Sequence, residues 1–136
     1  MIAEFNGVKA LLQAVPLLAG KVVDTAVVDD GKLVRANYLV LSGAGPEELD
    51  DGRWGSIPRP ESDALYEFPA KAVGTDPEAV RLISDAVQSV VGKKPTVAGR
   101  RCDPVTVDFD DVKRDNSVSP PMFFMDMWVI TTSRRA

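Results

Sequence analysis

Two groups of carboxylates are the residues of this chain whose types and spacing could do chemistry. Asp108, Asp110, Asp111 and Asp115 form one, and Glu47, Glu48, Asp50 and Asp51 form the other. On a strand Asp108 and Asp110 share a face, so a pair of oxygen ligands for magnesium or calcium is sterically accessible. No EF-hand spacing surrounds either group, and acidic runs of this kind are ordinarily solvated surface. Histidine is absent, which removes the usual general base at neutral pH and the usual orienter of a serine or cysteine nucleophile. Cys102 is the only cysteine, so neither an intrachain disulfide nor a zinc site can be built. Gly43-Ala44-Gly45 lacks the third glycine of a phosphate-cradling loop and runs into Pro46. A small metal-dependent hydrolase using Asp108, Asp110 and Asp115 is the one catalytic reading left; the expectation is a non-enzyme without cofactor.

The chain must therefore be read for the elements that position surfaces. At 136 residues, 45% hydrophobic and 26% charged, it fits one soluble domain spanning residues 1–136. A formal net charge of -4 argues against sequence-independent binding to nucleic acid. The basic pairs Lys93-Lys94, Arg100-Arg101, Lys113-Arg114 and Arg134-Arg135 could gather on one surface, but pairs so spread along a chain are more often solvated loop ends, and they are read as such. No basic leader opens the chain, and no apolar run reaches the roughly 20 residues that span a bilayer. The expected location is the cytoplasm, or an assembly built there.

Asn6 is placed to cap a first helix whose Val8, Leu11, Leu12 and Val15 line one face, with Pro16 as its stop. Lys21 to Val28 reads as a strand, and Asp29-Asp30-Gly31 signals a hairpin into a firmer strand at Ala36 to Ser42. Residues 43–63, rich in glycine and proline, read as a long flexible loop. Within it Trp54 either anchors a partner or folds back onto its own domain. Leu65 to Val73 reads as a strand in which Pro69 marks an edge or a bulge. Thr75-Asp76-Pro77-Glu78 opens a second helix as a capping box with Thr75 as cap. Its Val80, Ile83, Val87, Val90 and Val91 share a face, and Gly92 through Pro95 end it. Val105, Val107 and Phe109 alternate with polar residues, as in a strand with one buried face. The last strand, around Phe123 to Ile130, is apolar on both faces, which a second subunit or a closed sandwich would explain. The order of elements predicts an α+β fold, a mostly antiparallel sheet with two helices packed on one face.

Thr75-Asp76-Pro77-Glu78-Ala79, a variable link, Val112-Lys113-Arg114-Asp115 through Val118, Pro120-Pro121, Phe123-Phe124 and the Thr131-Thr132 exit follow one another in an order and spacing that resembles the tail terminator proteins of long-tailed bacteriophages. The resemblance is best from Thr75 to Thr132. It implies a virion tail protein, assembled in the host cytoplasm, that forms a homohexameric ring on the finished tail tube. Such a ring stops tube polymerisation and offers the head-joining surface, without catalysis or cofactor. The implied partners are further copies of the chain, the major tail tube protein and a head-tail connector or neck protein, with DNA passing through the lumen without specific binding and no membrane contact. Asp50, Asp51, Arg53, Trp54 and Ile57 in the long loop, and Lys113, Arg114, Asp115, Pro120 and Pro121 in the turn, are the expected interface residues. Another head-tail completion or neck protein, and a regulatory or ligand-binding dimer, are the other readings besides the hydrolase.

Overall fold

The computed structural model describes residues 2–26, 28–29, 32–33, 35–43, 47–48 and 63–135. Two long strands are its axis: β6 (Ala64–Gly74) and β10 (Met122–Arg135) pair antiparallel from Gly74 opposite Phe123 to Ala64 opposite Ser133. Strands β4 (Tyr38–Leu41) and β5 (Glu47–Glu48) pair antiparallel with the other side of β6. β7 (Arg100–Cys102), β8 (Thr106–Phe109) and β9 (Lys113–Asp115) lie in succession along the free side of β10. β1 (Val22–Val23) joins β4 in parallel, the one parallel pairing among the described residues. The expected hairpin from Lys21–Val28 into Ala36–Ser42 is therefore corrected. Val28 and Asp29 pair instead in a short ribbon of β2 (Val28–Asp29) and β3 (Lys32–Leu33). Part of the stretch expected as loop, Glu47–Glu48, is strand.

Alternation along β6 and β10 decides the faces. Ala64, Tyr66, Phe68, Ala70 and Ala72 are buried, as are their cross-strand partners Met127, Val129, Thr131 and Ser133. Helices α1 (Ile2–Gln13) and α2 (Pro77–Gln88) supply Val8, Leu12, Val80, Ile83 and Val87 to the same core, so both helices cover this one face, as expected. The ring of Phe68 meets Phe5 of α1 edge-on at 5.8 Å and stacks on Tyr66 at 5.5 Å. Gly7 lets α1 lie close to the chain at 95–97, since a Cβ there would stand 3.2 Å from the Thr96 carbonyl oxygen.

The helix ends refine the sequence reading. α1 begins before Asn6, which is exposed in its middle and caps nothing. Asp76, not Thr75, caps α2: its carboxylate accepts the Ala79 N–H at 2.7 Å, and Pro77 fills the first position, where no N–H is needed. The aspartate oxygen reaches the N–H three residues on, while the Thr75 N–H is taken by the Asn37 side chain at 3.1 Å. Gly92 adopts φ +89, open to glycine without strain, and turns its N–H to the Val105 carbonyl at 2.9 Å. Val91 is exposed instead of joining Val80, Ile83, Val87 and Val90 in the core, where Val90 is the last buried residue after the helix ends at Gln88. Phe109 is likewise exposed; of its expected stripe only Val105 is fully buried. Pro69 sits in a central strand, yet without harm to the long ladder. The Ser42 N–H donates to its carbonyl at 2.8 Å. In an antiparallel pair a residue's nitrogen and carbonyl point the same way, so the nitrogen without hydrogen faces the end of β4 and not β10.

Candidate assembly interface

The face of the sheet away from the helices has a different character. Phe124, Asp126, Trp128 and Ile130 of β10 alternate onto it, opposite Val73, Lys71, Pro69 and Glu67 of β6. Trp128 is 39% exposed, which is unusual for the largest side chain in the middle of the longest strand. One end of this face is closed by a small cluster of Tyr38, Val73 and Met122, against which Val23, Ala36, Val40 and Val118 pack. Between cluster and tryptophan the surface dips into two adjoining depressions of about 330 and 350 Å³, which share Ala26, Val40 and Lys71. Lys71 places its ammonium 4.7 Å from the centre of the Phe124 ring and 3.9 Å from the Asp126 carboxylate. Such an exposed pair adds little to stability but fixes where each charge stands. Apolar area in the middle with charges of both signs around it is the anatomy of a protein–protein contact.

The turn that carried half of the expected interface residues borders this face. β9 sets Lys113 opposite Phe124 and Asp115 opposite Met122, so both side chains lie on the open face, and Asp115 lines the first depression. Arg114, opposite Phe123, alternates to the other side. Lys113 donates to Asp110 at 2.8 Å, which holds the Asp110 carboxyl below its usual range. The Asp115 carboxylate accepts from the Ser117 N–H at 3.0 Å and from its hydroxyl, and is held low for the same kind of reason. The Ser119-Pro120 peptide bond is cis, the Pro120 carbonyl accepts from the Arg35 guanidinium, and Pro121 is half-buried. Asp50, Asp51, Arg53, Trp54 and Ile57 lie outside the described residues. Among the described residues, no three His, Cys, Asp or Glu side chains are grouped to hold a cation. Asp108 stands opposite Trp128 while Asp110 and Asp115 are engaged as above. The two-sided apolar pattern of β10 signalled the open face in the sequence. Lys71 carried no signal there, because its neighbours Phe124 and Asp126 are more than fifty positions away.

A second polar constellation lies beneath the sheet. Glu4, Tyr66, Cys102 and Ser133 are all buried; the Ser133 hydroxyl donates to Glu4 at 3.3 Å and Arg100 donates to that hydroxyl at 2.9 Å. Burial first, then the charge of Glu4, pushes the Tyr66 hydroxyl up to about 12. The folded state then keeps its proton where the unfolded chain, near 10, has lost it. Stability associated with Tyr66 is full below pH 10 and falls as pH rises toward 12. Tyr66→Phe should flatten that alkaline limb in urea titrations taken between those pH values; an unchanged slope would assign the limb to other groups.

The basic pairs do not behave as scattered loop ends. β7 and the end of β10 set Arg101 directly opposite Arg134, and Arg100 opposite Arg135. Val105 accepts the Gly92 N–H and donates to the Lys93 carbonyl at 2.8 Å, which brings Lys93-Lys94 to the same end. Asp103 sits among them, hydrogen-bonded by Arg134 at 3.0 Å and held below its usual range by that contact and by the charges of Arg101 and Lys94. Three of the four pairs thus form one basic end, and only Lys113-Arg114 stands apart.

No family model and no curated protein matches the chain. Among solved structures, a chain from the virion of a native gene transfer agent (GTA) particle is similar in fold. It aligns over 95% of this chain and 92% of its own length with a TM-score of 0.61, at 14% sequence identity.

Proposed function

We propose that this protein is a virion structural protein that caps the tail tube of a phage-like particle as a ring, ends tube polymerisation and presents the head-joining surface. The observation that carries the reading is the fold likeness to a chain of a gene transfer agent virion over nearly the full length of both chains. The order of motifs from Thr75 to Thr132 supports the finer role, since the same segment resembles tail terminators. In this reading the open sheet face receives a neighbouring copy of the chain: Trp128, Phe124 and Ile130 supply apolar area, while Lys71 and Lys113 interleave with Asp108, Asp126 and Glu67. A surface that holds both signs offers each charge a counterpart on an identical neighbour. The tube protein and a head-tail connector are the further partners, and DNA passes through the lumen.

The test is negative-stain imaging of particles made after the reading frame is disrupted in its source genome. Filled heads beside detached, over-length tails are expected. Tails of normal length beside unattached heads would move the protein to the neck, and intact infectious particles would overturn the reading.

A further inference from the structure

Six of the chain's sixteen basic residues, Lys93, Lys94, Arg100, Arg101, Arg134 and Arg135, meet at one end of the sheet. Among the described residues, Asp103 pairs with Arg134, Asp63 accepts the Arg135 N–H at 3.0 Å, Glu4 is buried, and Glu47–Glu48 lie across β6, opposite Leu65 and Ala64. These basic residues are gathered on a chain whose formal net charge is -4. Like charges directly opposite each other on neighbouring strands oppose folding, yet Arg101 stands opposite Arg134 on one face of the sheet and Arg100 opposite Arg135 on the other. Among the described residues Lys93, Lys94 and Arg101 form no ion pair, and all three are exposed. Trp128, the exposed aromatic of β10, lies six positions from Arg134, roughly 20 Å along the strand. The exposed aromatic anchor on which protein contacts commonly centre therefore lies outside the patch. What remains is a set of guanidinium and ammonium donors, suited to phosphate oxygens and indifferent to base sequence.

We propose that this end, through Lys93, Lys94, Arg101 and Arg134, docks the phosphodiester backbone of double-stranded DNA. The contact is sequence-independent because it engages phosphates alone, and salt-sensitive because each phosphate neutralised releases condensed counterions, a gain that shrinks as salt rises. It rests on the charge geometry of a single copy and stands apart from the ring reading.

The experiment is anisotropy of labelled duplex DNA with the full chain, from low to physiological salt, comparing wild type with the Lys94→Glu, Arg101→Glu double variant. Wild type should bind at low salt irrespective of sequence. The variant should bind at least about tenfold more weakly, with a log–log salt slope flatter by about 0.9 for each phosphate it no longer neutralises. Lys94→Gln, Arg101→Gln gives a smaller loss in the same direction if charge reversal disturbs folding, and Lys94→Arg should bind as wild type does. Absence of wild-type binding at low salt, or equal binding and slope in the variants, would overturn the assignment. So would binding of a polyglutamate peptide with no binding of DNA, which would give the end to an acidic protein.

Discussion

Phe68→Ala should lower the free energy of unfolding by about 3–5 kcal/mol, the range for removing a large aromatic side chain from a packed core. Phe68 is fully buried at the centre of the helix-covered face, with Phe5 at its edge and Tyr66 stacked on it. These contacts join α1, β6 and, through the partner Val129, β10. Loss of the ring opens a cavity among elements already fixed by eleven cross-strand positions, so the space cannot readily close. Domains of this size have about 5–15 kcal/mol in total, and the variant should be partly unfolded near physiological temperature. The control is Leu82→Ala: Leu82 is 51% exposed on α2 and its truncation should move stability by no more than about 0.5 kcal/mol. Equal urea midpoints for the two variants would show that the core is not organised around Phe68.

What the sequence reveals of this fold follows from how far each signal reaches. The buried face of α2, the positive-φ turn at Gly92 and the alternation of β6 and β10 are periodic or local, and each is legible within a dozen residues, although the helix itself ends at Gln88. Partner choice is not. Val22–Val23 pairs in parallel with Leu39–Val40, and no turn residue between them records it. The cap moved by one residue, from Thr75 to Asp76, because Pro77 keeps the residue before it extended, at φ -147 and ψ 164, so that Asp76 and not Thr75 borders the first helical turn. Charge shows the same limit. Lys93-Lys94, Arg100-Arg101 and Arg134-Arg135 lie apart along the chain, and the return of β10 beside β7 together with the Val105–Lys93 contact gathers them at one end. Of the interface expectations, Lys113 and Asp115 fall on the open face because β9 pairs in register with Met122–Phe124, while Arg114 between them must point away.

Trp128→Glu should abolish self-association while leaving the fold nearly intact. The prediction joins the open face to the ring reading. Trp128 keeps 39% of its surface in contact with solvent on the face away from the helices, so a charge there stays hydrated in the single copy, and the lost contacts together with Asp108 opposite should lower the free energy of unfolding by about 1–3 kcal/mol, which a folded domain tolerates. Assembly is a different matter. Aromatic residues at the centre of an interface typically contribute about 2–4 kcal/mol, which is roughly a 30- to 1,000-fold change in the association constant. A buried carboxylate without a counterpart adds a desolvation penalty in every copy of the contact, and a closed ring repeats the contact at each joint. Sedimentation velocity over a range of protein concentrations should find wild-type oligomer and monomeric variant, and added variant should fail to restore tail length in particles lacking the native protein. Leu82→Glu, an equally drastic change on the helix-covered side, should do neither. Full oligomer formation by Trp128→Glu would remove the open face from the contact between copies, even if imaging had placed the protein at the end of the tail. Loss of oligomer in both variants would point instead to a general effect of added charge.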